Sequence, residues 1–401
     1  MANRVLLVNK FYYPRGGDCI VVLNTEALLR DNGVEAEVFA MKYPENLTAR
    51  YQDLFASEVS FGGGVGNMVD AMKRTLGMGD VRAQFEAVLD EYKPQVVHLH
   101  NIHSYLSPVV GKLAHQRGIR VVWTLHDYKL LCPRYDCLLA GEPCERCFKG
   151  AKHNVLLHKC MKGSLPASAV AWIEALKWNR RTLERNTDVF LCPSEFMARK
   201  MLAGGFDPSR IKVLNNFLDP VKLERYKTID NTAAREDYYC YVGRLSPEKG
   251  VADLLEVASQ LPYRLKIAGG GPLEAELRVK YASCGNIEFL GMLDAAGVVK
   301  VLSGAKLSVV PSQWYENNPL SVVEALCAGT PVAGSNIGGI PELIDNSNGV
   351  VFQPFEQEAL STAISMSMTR EWNHSEIARK ALERFGSASH LHTLLNDIYG
   401  F

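Results

Sequence analysis

The residues best suited to chemistry are two carboxylates eight positions apart in Glu316-Asn317-Asn318-Pro319-Leu320-Ser321-Val322-Val323-Glu324. Pro319 can take the first turn of a helix, where its missing N–H costs nothing, and Leu320, Val323, Ala325 and Leu326 supply an apolar face. The free amides at that helix start make an edge for anions or hydroxyls. Glu316, just before the helix, can accept hydrogen bonds from sugar hydroxyls, and Glu324, about two turns in, can reach a ribose. Asn317, Asn318, Pro319, Leu320 and Ser321 would then line the same ligand. Two acceptors at this separation match two sugars joined by a diphosphate. Without its neighbours, the pair reads more readily as a loop glutamate and a solvated helix face.

Two cations fit the diphosphate. Arg244 can fork onto phosphate oxygens and Lys249, five residues on, adds a compact charge, so the pair can offset a diphosphate without a metal. Gly16 and Gly17, in Tyr13-Pro14-Arg15-Gly16-Gly17-Asp18, follow the first strand, where paired glycines let backbone approach a ligand and the next helix aims its positive end. A tight turn explains Gly-Gly equally well by itself, and this is not the G-x-G-x-x-G of a nicotinamide dehydrogenase. His126 follows Val121-Val122-Trp123-Thr124-Leu125 at a sheet edge where open α/β sheets place ligands, or else serves as a core or capping histidine. His98 and His100 share one strand face by alternation, with His103 beyond them; packing or an acceptor contact is the preferred reading over metal.

The elements that must position these groups alternate as in a parallel sheet covered on both faces. Val5 to Val8, Ala36 to Phe39, Val96 to Leu99, Arg120 to Thr124 and Val189 to Cys192 read as strands of a first domain, with a helix from about Ile20 to Asn32 ended by Gly33. A second series runs Tyr238 to Val242, Tyr263 to Ala268, Ile287 to Phe289, Leu307 to Val310 and Pro331 to Ala333. The expected division is residues 1–217, 218–382, and a terminal helix in 383–401 from Glu383 to Tyr399. The boundary lies between Asn216 and Arg235, where Asp219-Pro220 and Asp230-Asn231-Thr232 break the pattern.

At 401 residues and 47% hydrophobic, the chain can bury two cores, and 44 basic against 44 acidic residues give no global pull toward nucleic acid. No apolar run reaches the roughly 18 residues needed to span a bilayer, which predicts a cytoplasmic protein. Five of ten cysteines fall in an insertion at about 132–160. Cys144-Glu145-Arg146-Cys147 has the spacing for two thiolates on one tetrahedral ion, and Cys132 and Cys160 can complete a structural zinc site, with Cys137 left over. Reduced thiols, and behind them an iron–sulfur cluster, remain alternatives. The transfer chemistry itself requires no cofactor.

The blocks Gly243-Arg244-Leu245-Ser246-Pro247-Glu248-Lys249-Gly250, Ile267-Ala268-Gly269-Gly270-Gly271-Pro272, Val309-Val310-Pro311-Ser312, Glu316-x7-Glu324 and Gly338-Gly339-Ile340-Pro341-Glu342 resemble, in order, the signature of retaining glycosyltransferases of family four. The resemblance covers most of the second half. It implies a GT-B architecture: two Rossmann-like, doubly wound domains facing across a cleft, with a C-terminal helix crossing back to the first. It assigns His126 a hydrogen bond to the donor sugar, and implies same-face attack in which the departing phosphate takes the acceptor's proton. The expected activity is transfer of a hexose-type sugar from a nucleoside-diphosphate sugar, UDP most often in such relatives, to a glycan or lipid-linked acceptor hydroxyl in surface polysaccharide synthesis. A sugar-nucleotide epimerase of the same architecture and a non-catalytic nucleotide-sugar-binding protein are the alternatives.

Acceptor residues are the least legible. Phe61-Gly62-Gly63-Gly64-Val65-Gly66 reads as a flexible loop before an amphipathic helix with Met68, Met72, Lys73 and Arg74. A second helix, Trp172 to Arg185, mixes Trp172, Ile173, Leu176 and Trp178 with Lys177, Arg180, Arg181 and Arg185. It can rest on anionic lipid at the inner membrane face, or pack its aromatics inside the first domain.

Overall fold

The computed structural model describes residues 3–60 and 65–401. The chain divides into two compact units, one of Met1–Leu139, Cys144–Asn215 and His390–Phe401, the other of Ala140–Pro143 and Asn216–Ser389.

The first unit is built on six parallel strands: β1 (Arg4–Val8), β2 (Glu35–Phe39), β3 (Val96–Leu99), β4 (Arg120–Thr124), β5 (Val189–Cys192) and β6 (Ile211–Val213). They lie in the order β2-β1-β3-β4-β5-β6. Val5, Leu6, Leu7 and Val8 are all fully buried, as an unbroken apolar run must be when helices cover both faces of its sheet. Helix Gly17–Asp31 starts directly beyond β1's end, with Asp18 in its first turn and Arg30 in its last, each favourable to the helix dipole.

The second unit repeats the plan with β7 (Glu236–Val242), β8 (Arg264–Ala268), β9 (Ile287–Gly291), β10 (Ala305–Val310), β11 (Val332–Ser335) and β12 (Gly349–Phe352). Their order is β9-β8-β7-β10-β11-β12, all parallel. Alternation along β7 sends Tyr238 and Cys240 into one apolar cluster and Tyr239 and Tyr241 into the other. Helix Leu320–Cys327 closes the first cluster with Val322, Val323, Ala325 and Leu326. Full burial of side chains of this size stabilises by about 1.5–3 kcal/mol each.

Several expectations need correction. Pro319 is not in the first helical turn but caps the helix in extended conformation, so Glu324 lies little more than one turn in, not two. The single helix from Trp172 to Arg185 is two, Leu165–Lys177 and Arg180–Arg185. They part at Trp178-Asn179, where Asn179 accepts from the Thr182 amide to start the second. Trp178 is buried and donates to the Thr75 carbonyl, whereas Ile173 and Leu176 are exposed. Arg74 turns inward from helix Val65–Thr75 to pair with Asp80 at 2.6 Å. Of the glycine loop before that helix, residues 61–64 lie outside the described residues. The terminal helix breaks around Phe385-Gly386: His374–Arg384 stays in the second unit, and the π-helical turn Leu394–Tyr399 belongs to the first.

Candidate active site

In the second unit, two loops at the carboxyl ends of β7 and β10 bring Lys249 to Glu316. Lys249 Nζ stands 2.5 Å from Glu316 Oε1, and Ser312 Oγ donates to the same oxygen at 2.7 Å. Glu316 is 7% exposed. Burial would raise its carboxyl, but the Lys249 charge and the hydrogen bonds from Lys249 and Ser312 outweigh it and hold the group below the usual range, so it is ionised.

Glycines set this geometry by close approach. Gly250, in the left-handed region, would place a Cβ 2.0 Å from the Pro311 carbonyl oxygen, so the Lys249 loop can lie on the strand end only without a side chain there. Gly269 and Gly271 meet Gly243 and Leu245 in the same way and seat the Arg244 turn. Gly338, with φ of +64°, presses against the Glu316 backbone, and the Gly339 amide donates to the Glu316 carbonyl at 2.7 Å. Arg244 is exposed, and among the described residues no carboxylate pairs with it.

Along helix Leu320–Cys327, Leu320, Ser321 and Glu324 form the partly exposed edge. Glu324 is held by Lys222 at 2.9 Å, a partner 102 residues away that no local pattern announces. Any ribose must share Glu324 with that lysine. Asn317 is partly exposed, Pro319 is buried at the helix cap, and Asn318 is buried, accepting from the Asn216 amide and side chain at 3.0 Å each. Asn318 therefore anchors the chain entering the unit.

In the first unit, Gly16 and Gly17 are exposed at the start of helix Gly17–Asp31, and nothing lies within 4 Å of a Cβ built on Gly17. Beside them Asp18 accepts from Asn101 at 2.8 Å. His126 follows β4 and its Nε2 meets His100 Nδ1 at 3.0 Å. His100 is buried and its Nε2 has no partner. A stranded N–H costs more than a stranded lone pair, so the His100 proton belongs on Nδ1, donated to His126, which leaves the His126 proton on Nδ1. Burial lowers the pKa of His126 despite the opposing charges of Asp18 and Asp127, so the ring is neutral. His98 sits between Tyr399 Oη and Thr124 Oγ1, at 2.7 Å each. Burial would raise Asp127, but the His103 ring, 3.4 Å away, and the Lys129 amide bring it down to about 2.

The insertion's thiols are all free. The Cys137 thiol hydrogen-bonded to Cys132 draws Cys132 down to about 6, while burial pushes Cys147 up to about 12. Among the described residues, no group of three or more His, Cys, Asp or Glu side chains is arranged to hold a metal ion. No described helix is long and apolar enough to cross a membrane.

Residues 16–222 match the model of the family described as Glycosyltransferase Family 4, and residues 224–385 that of Glycosyl transferases group 1. The chain belongs to glycosyltransferase family 4. It is 28% identical over 268 residues to an uncharacterised 42.6 kDa protein in the cps region of Klebsiella pneumoniae, the match covering 66% of this chain and 63% of that one. It is 26% identical to a D-inositol 3-phosphate glycosyltransferase of Mycolicibacterium smegmatis, across 94% of this chain and 84% of the relative. Anabaena HepE, solved with UDP and glucose, superposes over the full length of both chains with a TM-score of 0.64 at 17% identity. The fold is thus GT-B. For this family-4 chain, Ser312 and Lys222 are the site partners that sequence reasoning missed. Ser312 alone had a signal, as the last residue of a quoted block next to Glu316.

Proposed function

We propose that the chain transfers a hexose-type sugar, with retained configuration, from a nucleoside-diphosphate sugar to a hydroxyl of a glycan or lipid-linked saccharide in surface polysaccharide synthesis. The observation that carries this reading is the buried, ionised Glu316 fixed by Lys249 and Ser312, with Arg244 exposed and uncompensated nearby in sequence. A carboxylate held this way has its ordering done before substrate arrives, so it can take two sugar hydroxyls at little further entropic cost. The Lys249 and Ser312 contacts both fall on Oε1. Arg244 and Lys249 would stabilise charge growing on the departing diphosphate, with Glu324 taking the ribose. His126, neutral, would donate from Nδ1 to a sugar oxygen. The acceptor oxygen bonds to the anomeric carbon on the face the phosphate leaves, and the acceptor's proton passes to the departing phosphate oxygen, so no separate base is required.

UDP as the nucleotide is supported by the UDP complex of HepE, and a surface polysaccharide by the cps-region relative. Exposed Leu165, Ile173 and Leu176 beside Lys177 support peripheral contact with anionic lipid. The deciding experiment is a thermal-shift screen against UDP-, GDP- and ADP-sugars and free nucleotides. One nucleotide-sugar should stabilise the wild type, Arg244→Ala should abolish the shift, and Glu316→Ala should lose only the gain due to the sugar. No shift with any nucleotide would overturn the donor assignment.

A further inference from the structure

A cavity of about 560 Å³ lies wholly within the first unit, away from Gly16 and Gly17. Its walls come from the segment after β4, the cysteine-bearing insertion, the break between helices Leu165–Lys177 and Arg180–Arg185, and the turn at Ala203–Phe206. Small-molecule sites commonly have about this volume.

Its charges do not cancel. Lys129, Lys149, Lys152, Arg180 and Arg181 line it, against one carboxylate, Glu174. Lys129 is spent on Glu174 at 2.9 Å, and Arg180 pairs with Glu184 at 3.5 Å. Lys152 donates to the Leu130 and Leu131 carbonyls, with Cys132, Cys137 and Cys147 close enough to act on its charge. Lys149 and Arg181 are exposed at the rim and make no ion pair among the described residues. Two cations, Lys149 and Arg181, therefore stand without an ion pair among the described residues on a concave surface, which concentrates positive potential there. Leu130, Phe148, Trp178 and Phe206 line the same cavity and give it mainly aromatic apolar surface.

We propose that this cavity binds a phosphorylated molecule whose remainder is apolar or aromatic. Arginine and lysine around a pocket suit phosphate by fork and point charge, and neither a bare anion nor a neutral saccharide would use both the charge and the apolar surface. One lining residue, His103, contacts Asp127, the neighbour of His126. A role as acceptor or acceptor-side ligand rests on the glycosyltransferase reading; binding itself does not.

The test is calorimetric titration of the full chain with octyl phosphate, 1-naphthyl phosphate and inorganic phosphate, for wild type, K149S/R181Q and Arg244→Ala. Both substituted cations are at the rim, so the double variant should fold. The expected result is that at least one organic phosphate binds about tenfold or more tighter than inorganic phosphate, the better probe showing whether the natural remainder is lipid-like or aromatic. K149S/R181Q should weaken that binding about tenfold or more, and Arg244→Ala should leave it unchanged. Organic phosphates binding no tighter than inorganic phosphate, equal binding by the double variant, or loss in Arg244→Ala would each overturn the proposal. The nucleotide-sugar thermal shift, expected to survive in K149S/R181Q and vanish in Arg244→Ala, fails separately if the donor reading is the one at fault.

Discussion

Glu316 and Lys249 depend on each other more than an exposed ion pair would. Each is held on the other in a site where Glu316 is nearly sealed from water, so removing the lysine leaves a buried carboxylate without its cation. Breaking a buried pair from one side costs about 3–5 kcal/mol. Lys249→Met should therefore lower stability by about that amount and raise the Glu316 pKa, while Lys249→Met/Glu316→Gln should recover much of the loss. A double-mutant cycle in urea checks this, and additive losses would show that the pair is not coupled. The residue types of the site were readable because Glu316 and Arg244 sit in ordered blocks of Gly, Pro and charge. The partners were not, since Lys222 reaches Glu324 from a helix 102 residues away, a meeting set by packing and not by spacing.

At the scale of elements, the site is a set of strand ends held together by missing side chains. Gly338 is the sharpest case: a methyl group there would stand 2.3 Å from the Glu316 carbonyl oxygen, at a φ that already disfavours alanine. Gly338→Ala should destabilise the second unit by about 2–4 kcal/mol and weaken any sugar-dependent thermal shift, because the Glu316 loop must move. Chemical denaturation of the variant with and without donor measures both; an unchanged sugar response would mean the loop absorbs the methyl. The inner strands were legible from unbroken runs such as Val5 to Val8. One outer strand of each sheet was not: Ile211–Val213 has three residues and an exposed centre, and Gly349–Phe352 opens on glycine and leaves Val351 exposed. Edge strands carry half the apolar signal of central ones. The Trp172 to Arg185 stretch misled for another reason, since its helical period continues across a break made by the Asn179 cap.

For the whole molecule, the buried histidines govern behaviour with pH. Burial lowers His98 to about 3 and His100 further below its ordinary value, whereas an unfolded chain titrates both near 6.5. Below about pH 6.5 the unfolded state binds protons that the native state refuses, so stability is full above that pH and falls as pH drops, by about 1.4 kcal/mol per unit per histidine. The melting temperature should fall between pH 7 and pH 5, and His98→Asn should flatten the dependence by about one histidine's share, since burial lowers His126 and His390 as well. A slope unchanged in that variant would assign the effect elsewhere. His98 also receives Tyr399, and Arg120 Nε donates to the Ile398 carbonyl at 2.8 Å, so residues 390–401 finish a unit that began at β1. On the ribosome the order of completion is then inverted. Everything the second unit needs, up to Ser389, emerges before residues 390–401 reach the first unit, and deleting those residues would leave the second unit whole while His98 loses Tyr399.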